Sequence, residues 1–94
     1  MPKPFKRRYK VVYLVEIAGF IERRSKSFRS PRRAVKFANK QMRIVGSVMA
    51  IHGFYKPVYP HQLKDFTATF NNLWDYGYRK STLNYKLYRY TRHL

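Results

Sequence analysis

The stretch YKVVYLVEIAGFIERRSKSF, residues 9–28, divides at its only glycine. Before that glycine, residues 9–17 are β-branched or aromatic at most positions, the composition of a strand. Both parities are apolar: Val11, Tyr13, Val15 and Ile17 on one, Val12 and Leu14 on the other. A strand buried on two faces belongs in the middle of a sheet. Ala18-Gly19 is a turn signal, because Gly19 can take a positive φ. Residues 20–28 alternate only in part and are polar on both faces in the middle, where Arg23, Arg24 and Lys26 fall. That predicts an edge or protruding strand, since charge on an edge blocks pairing with other chains.

Working outward, SPRRAVKFANKQMRIVG (30–46) predicts a helix over 31–45. Ser30 suits the N-cap, Pro31 the first helical position and Gly46 the C-terminal stop. Ala34, Phe37, Ala38, Gln41, Met42 and Val45 keep helical spacing, with Val35 and Ile44 widening the stripe, while Lys36, Lys40 and Arg43 line another face. Arg32 and Arg33 stand in the first turn, where the helix dipole disfavours cations by a few tenths of a kcal/mol; a phosphate bound there would compensate.

Residues 47–55 predict a third strand buried on both faces, with His52 as a hydrogen-bonded core histidine. KPVYPH (56–61) is a proline-punctuated loop. Residues 62–76 admit a helix, from the spacing of Leu63, Phe66, Phe70, Leu73 and Trp74, or a hairpin turning at Asn71-Asn72; helix fits better. YKLYRYTRHL (85–94) alternates rings with cations, and 83–91 is expected as a final strand. There Lys86, Tyr88 and Tyr90 would share one face and Tyr85 and Arg89 the other, offering rings for stacking beside cations, as single-stranded nucleic acid requires.

Charge bounds the function. The 94 residues hold 21 Lys+Arg against 4 Asp+Glu, a formal net of +17. Solubility needs only about 2–8 units, and the excess repels itself, so a polyanionic partner is expected. Residues 1–47 carry +12 and residues 48–94 carry +5, placing the electrostatic footprint in the first half. MPKPFKRR (1–8) reads as a flexible basic arm ahead of one domain, 9–94. Cysteine is absent, which excludes disulfides and thiolate zinc sites. No apolar run approaches the ~20 residues that span a bilayer, and the first residues lack the apolar region of a secretory signal. A cytoplasmic protein (or one of the nucleoid or host interior), neither membrane-bound nor secreted, is expected.

Catalytic patterns are missing. Glu16, Glu22, Asp65 and Asp75 are isolated in sequence, whereas metal-dependent nucleases cluster carboxylates. His52, His61 and His93 lack H-x-x-x-H spacing, and no GxGxxG or Walker loop occurs. Neither a cofactor nor an enzymatic activity is expected.

The run YLVEIAGFIERRSKSFRSPRRAVKFANKQ (13–41) resembles the hairpin-then-helix part of the AP2-like, arm-type DNA-binding domains of phage integrases. The shared features are a basic hairpin, Phe28-x-Ser30, and Ala34 early in a helix packed on the sheet. The resemblance implies a sheet that enters the major groove with Arg23, Arg24, Lys26 and Arg29 at the DNA. Residues 47–94 have no counterpart in that module, and recombinase catalytic residues are absent.

The expected fold is therefore α+β: an antiparallel sheet of three or four strands, one long helix on one face, and a second helix or hairpin in the C-terminal half. The expected core comprises Val11, Tyr13, Val15, Ile17, Ala34, Phe37, Ala38, Met42, Val48, Ile51, Phe66, Phe70, Leu73 and Leu87. The expected activity is non-enzymatic binding of DNA or RNA. Lys6, Arg7, Arg8, Arg23, Arg24, Lys26 and Arg29 would grip phosphates, assisted by Arg32 and Arg33, with Lys86, Tyr88, Arg89 and Tyr90 adding stacking and charge. The alternative is a small accessory or inhibitory protein, viral or phage in type, that docks on an acidic protein surface; Tyr and Arg dominate such contacts as well.

Overall fold

A computed structural model of the chain describes residues 8–44 and 46–94. Strand β1 (Tyr9–Ile17) and strand β2 (Phe20–Phe28) form an antiparallel hairpin in continuous register, from Tyr9 opposite Phe28 to Ile17 opposite Phe20. The two turn residues, Ala18 at φ +51° and Gly19 at φ +83°, both lie in left-handed space. That is the type I′ geometry whose twist matches the flanking strands. Strand β3 (Val48–His52) pairs antiparallel with the other edge of β1, giving the order β2-β1-β3. β1 is thus central and β2 an edge, as the apolar and charged parities predict.

β3 is shorter than expected and its burial on two faces is partial: Ala50 and Ile51, on opposite faces, are buried, but Met49 and His52 are exposed. His52 is accordingly no core histidine; it stands opposite Lys10. The ladder shifts register between Val12 and Tyr13, whose partners are Ala50 and Val48, so Met49 is the extra residue. Such a bulge bends a strand and can end its pairing. Beyond it, β3 follows β1 only as far as the Leu14 amide, which donates to the Ser47 carbonyl at 2.9 Å. The last third of the hairpin therefore projects as a two-stranded ribbon. That is why Ile17, expected in the core, is 46% exposed, and why Phe20 and Ile21 are 77% and 74% exposed. The outer edge of β3 is closed by Val58, which exchanges both backbone hydrogen bonds with Ile51. Among the described residues, β2 has no strand on its outer side.

Helix α1 (Pro31–Ile44) begins where Ser30 accepts the Arg33 amide at 3.4 Å and ends at Gly46, φ +67°. Ala34, Val35 and Ala38 are its buried residues. Its Phe37 meets Tyr13 edge-on and Phe28 at a tilt, both at 5.3 Å. α1 therefore lies on the face carrying Val11 and Tyr13.

The ambiguous segment is helix α2 (Leu63–Tyr76), entered through a 3₁₀ turn, Pro60–Gln62. Gly77, φ +115°, stops it, its amide reaching Leu73 and Trp74 carbonyls. Leu63, Phe66, Phe70 and Leu73 form the buried stripe. An aromatic series, Tyr9–Phe54–Phe66–Phe70–Trp74, runs from the first strand through the loop into α2. Asn39 ties α1 to α2, donating to Thr67 Oγ1 at 3.0 Å and to its own Val35 carbonyl at 2.8 Å.

The C-terminal segment corrects the sequence reading. Residues 80–91 are helix α3 (Lys80–Thr91), not a fourth strand. Leu83, Leu87 and Thr91, spaced by four, are its buried residues; a strand would bury Tyr85 and Arg89 on that same side, and both are exposed. The Thr91 hydroxyl donates to the Leu87 carbonyl, so the Tyr55 hydroxyl is the donor in its own bond to Thr91 Oγ1. This bond pins α3 to the loop after β3. Among the described residues the fold is α+β with a three-stranded antiparallel sheet and three α-helices, none of them markedly longer than the rest. Of the expected core, Tyr13, Val15, Phe37 and Met42 are only half-buried, while Tyr9, Val35, Phe54, Val58, Leu63 and Leu83 join the buried cluster.

Candidate nucleic-acid interface

Strand alternation decides where the hairpin cations lie. Val11, Tyr13 and Val15 face α1, and their partners Lys26, Arg24 and Glu22 share that side. Lys10, Val12 and Leu14 face away, with partners Ser27, Ser25 and Arg23 on β2. On this second face Lys10, Arg23, Ser25, Ser27 and His52 are all exposed. Arg23 and Arg24 therefore project from opposite faces of one edge strand. Arg8 and Arg29, both exposed, flank the paired ends Tyr9 and Phe28. Lys6 and Arg7 lie outside the described residues, as does the rest of the expected arm.

The α1-side cations connect to the helix. The Lys26 ammonium sits 5.5 Å from the Phe28 ring and 5.1 Å from the Phe37 ring. Phe37 is one turn after Arg33, on the same helix face. Arg32 and Arg33 are exposed, no acid stands in the first turn, and Lys36, Lys40 and Arg43 continue along the exposed surface of α1. The cations thus wrap the free edge of β2, from the face bearing Lys10 and Arg23 round to Arg24, Lys26 and the start of α1.

Little of this charge is neutralised internally. Among the described residues the sole ion pair is Arg24 with Glu22, at 3.3 Å on the surface. Glu16 and Glu22 sit together near the ribbon tip, where Val15 faces Glu22 and Glu16 faces Ile21. The tip is consequently the least basic part of the hairpin and its most apolar. No group of three or more His, Asp or Glu side chains able to hold a metal occurs among the described residues. No described helix is long and apolar enough to cross a membrane.

The stacking platform expected from residues 85–90 is not present in that form. On α3 successive residues turn by roughly 100°, so Tyr88 and Tyr90, expected on one face, point to different sides. Tyr88 meets the Tyr55 ring edge-on at 5.5 Å, and Arg89 is exposed. Tyr90 instead lines an open groove of about 610 Å³ with Thr69, Asn72, Leu73, Tyr76 and Tyr78. Lys86, one turn before Tyr90, places its ammonium 5.3 Å from the Tyr78 ring. Lys86 and Tyr90 are thereby brought together, but by helical spacing rather than strand alternation. Tyr76 and Tyr78 stack at 4.9 Å, 20° from parallel. Sequence reasoning passed over both because they straddle the end of α2. Their one signal was a pair of tyrosines around Gly77.

No protein-family model, curated protein or solved structure matches this chain. The resemblance to arm-type integrase domains rests on residues 13–41 alone.

Proposed function

We propose that this is a non-enzymatic nucleic-acid-binding protein whose β1–β2 ribbon carries the contact. The face with Lys10 and Arg23 lies against a groove, where both cations meet phosphates of its walls. Arg8, Arg29, Arg24 and Lys26, with Arg32 and Arg33 beside them, reach the phosphates on either side of the free edge. A duplex major groove, about 12 Å wide, admits a two-stranded ribbon. Small Ser25 and Ser27 side chains let the backbone approach closely while offering hydroxyls to base edges or phosphates.

The observation that carries this reading is the unspent charge: a net of +17 with one surface ion pair among the described residues. Self-repulsion of that size is relieved by a polyanion. Neutralising about 5–7 phosphates gives a log affinity that falls with log salt at a slope of about −4 to −6 on duplex DNA. Titrating a mixed-sequence duplex from about 50 to 200 mM salt tests it; a slope near zero refutes the mechanism.

One observation favours a second reading. Ile17, Phe20 and Ile21 form an exposed apolar tip flanked by the hairpin's two acids, which suits a protein partner better than a phosphate. Docking on an acidic protein surface predicts weak, unsaturable binding to the same duplex and a strong salt-sensitive interaction with that partner.

A further inference from the structure

From the groove between α2 and α3 we infer a second site, one that takes a single unstacked base of a single-stranded nucleic acid. It rests on the nucleic-acid reading above but uses none of the same residues. Its volume, about 610 Å³, falls within the roughly 300–1,000 Å³ of small-ligand clefts. Its walls are rings. Tyr76 and Tyr78 stand nearly parallel, and Tyr90 faces in from α3. Tyr76 is 78% exposed and Tyr90 52% exposed, so two of the three keep most of their surface in water, free for a flat partner.

Polar groups are placed for an aromatic heterocycle rather than a hydrocarbon. Thr69 and Asn72, from α2, add a hydroxyl and an amide to the lining. An amide can donate to and accept from a base edge at once. The Lys86 ammonium lies at the Tyr78 ring, where a phosphate following the base would meet it. The lining holds no acid. The nearby acids, Asp65 one turn before Thr69 and Asp75 beside Tyr76, both belong to α2. The phosphate therefore lies toward α3, whose charged residues Lys80, Lys86 and Arg89 are all cations. Aromatic grooves also receive proline-rich peptides, but such a ligand has no use for the cation.

The test measures fluorescence anisotropy with two probes, an oligothymidylate of about 12 nucleotides and a mixed-sequence duplex of about 20 base pairs. The proteins are the wild type, the pair Tyr76→Ala with Tyr90→Ala, Tyr90→Phe, and the pair Lys10→Gln with Arg23→Gln. Both tyrosines are mostly exposed, and Trp74 emission reports that each variant is folded. The tyrosine pair should lose about 5- to 140-fold on the single strand for each stacked base and stay within about twofold on the duplex; Tyr90→Phe, which keeps the ring, should bind the single strand nearly as the wild type. Unchanged single-strand affinity in the tyrosine pair, or an equal loss on both probes, overturns the groove while leaving the ribbon reading intact if Lys10→Gln with Arg23→Gln still weakens the duplex. A proline-rich peptide that the tyrosine pair no longer binds, alongside unchanged oligothymidylate affinity, overturns it in favour of a peptide site. Failure of the wild type to bind either probe at about 50 mM salt removes both readings together.

Discussion

Replacing Gly53 by alanine should be among the most damaging single changes in the molecule. Gly53 follows β3 with φ +116°, and a Cβ there would stand 2.6 Å from the Arg8 carbonyl oxygen, 2.9 Å from the Tyr9 Cα and 3.0 Å from a Tyr9 ring carbon. Two of those neighbours are backbone and cannot rotate away. The third belongs to a buried ring packed 4.8 Å from Phe54 at the head of the aromatic series. The dihedral alone costs an alanine about 1–3 kcal/mol, and forcing the first residues of β1 outward adds about 1–3 kcal/mol of overpacking. Together these approach half of the roughly 5–15 kcal/mol that holds such a domain folded. Gly77 supplies the control: its φ is +115°, and a Cβ there meets nothing within 4 Å. Gly77→Ala therefore carries the dihedral cost without the collision. Urea unfolding followed by Trp74 fluorescence should show Gly53→Ala losing about 2–6 kcal/mol, a midpoint drop of about 1–3 M at the slopes typical of small domains. Gly77→Ala should lose about half as much. Equal losses for the two would show that the contact with β1 contributes nothing, and the argument would fail.

Other outcomes follow from the same geometry. Ala18→Gly relieves a left-handed alanine in the hairpin turn, φ +51°, and should raise stability by about 0.5–1 kcal/mol despite the added freedom of the unfolded chain; a lower urea midpoint would contradict the turn type. Thr91→Val leaves the Tyr55 hydroxyl without its acceptor and should cost about 1–3 kcal/mol, whereas Tyr55→Phe with Thr91→Val should cost less than the sum of the singles. If Lys10 and Arg23 each meet a phosphate, Lys10→Gln with Arg23→Gln should make the salt slope on duplex shallower by about 2. An unchanged slope would move the contact to the α1 side of the ribbon.

What could be read in the residues follows from how local each signal was. The parity of β1, the glycine after Ala18 and the charged β2 placed the hairpin and its order in the sheet, because a strand's two-residue period is written into adjacent positions. Ser30, Pro31 and Gly46 marked α1 within a residue or so. The reading failed where two periods coincide. In YKLYRYT the alternation of rings and cations imitates a strand, while the decisive pattern, Leu83, Leu87 and Thr91, has a longer step and ends on a threonine. His52 and Ile17 failed for another reason. Whether a strand residue is covered depends on where the neighbouring strand stops, and the bulge at Met49 that halts β3 leaves no mark in composition. The candidate interface divides the same way. Which cations exist was plain, but which face each one takes required the register. The tyrosine groove joins two helices across a chain reversal, and no window of sequence contains it.

The edge of β2 that no described strand covers has a practical corollary. Its backbone groups are a template on which another strand could grow, and the Phe20–Ile21 tip is adhesive. In dilute buffer, mutual repulsion between copies keeps such edges apart, but the Debye length shrinks from about 10 Å at 0.1 M to about 3 Å at 1 M salt. Washing the protein in strong brine, the usual way to strip adventitious polyanions from a cationic preparation, should therefore bring on self-association. Turbidity that rises with ionic strength, and clears when Ile21 is changed to lysine, would identify that edge as the place where copies meet.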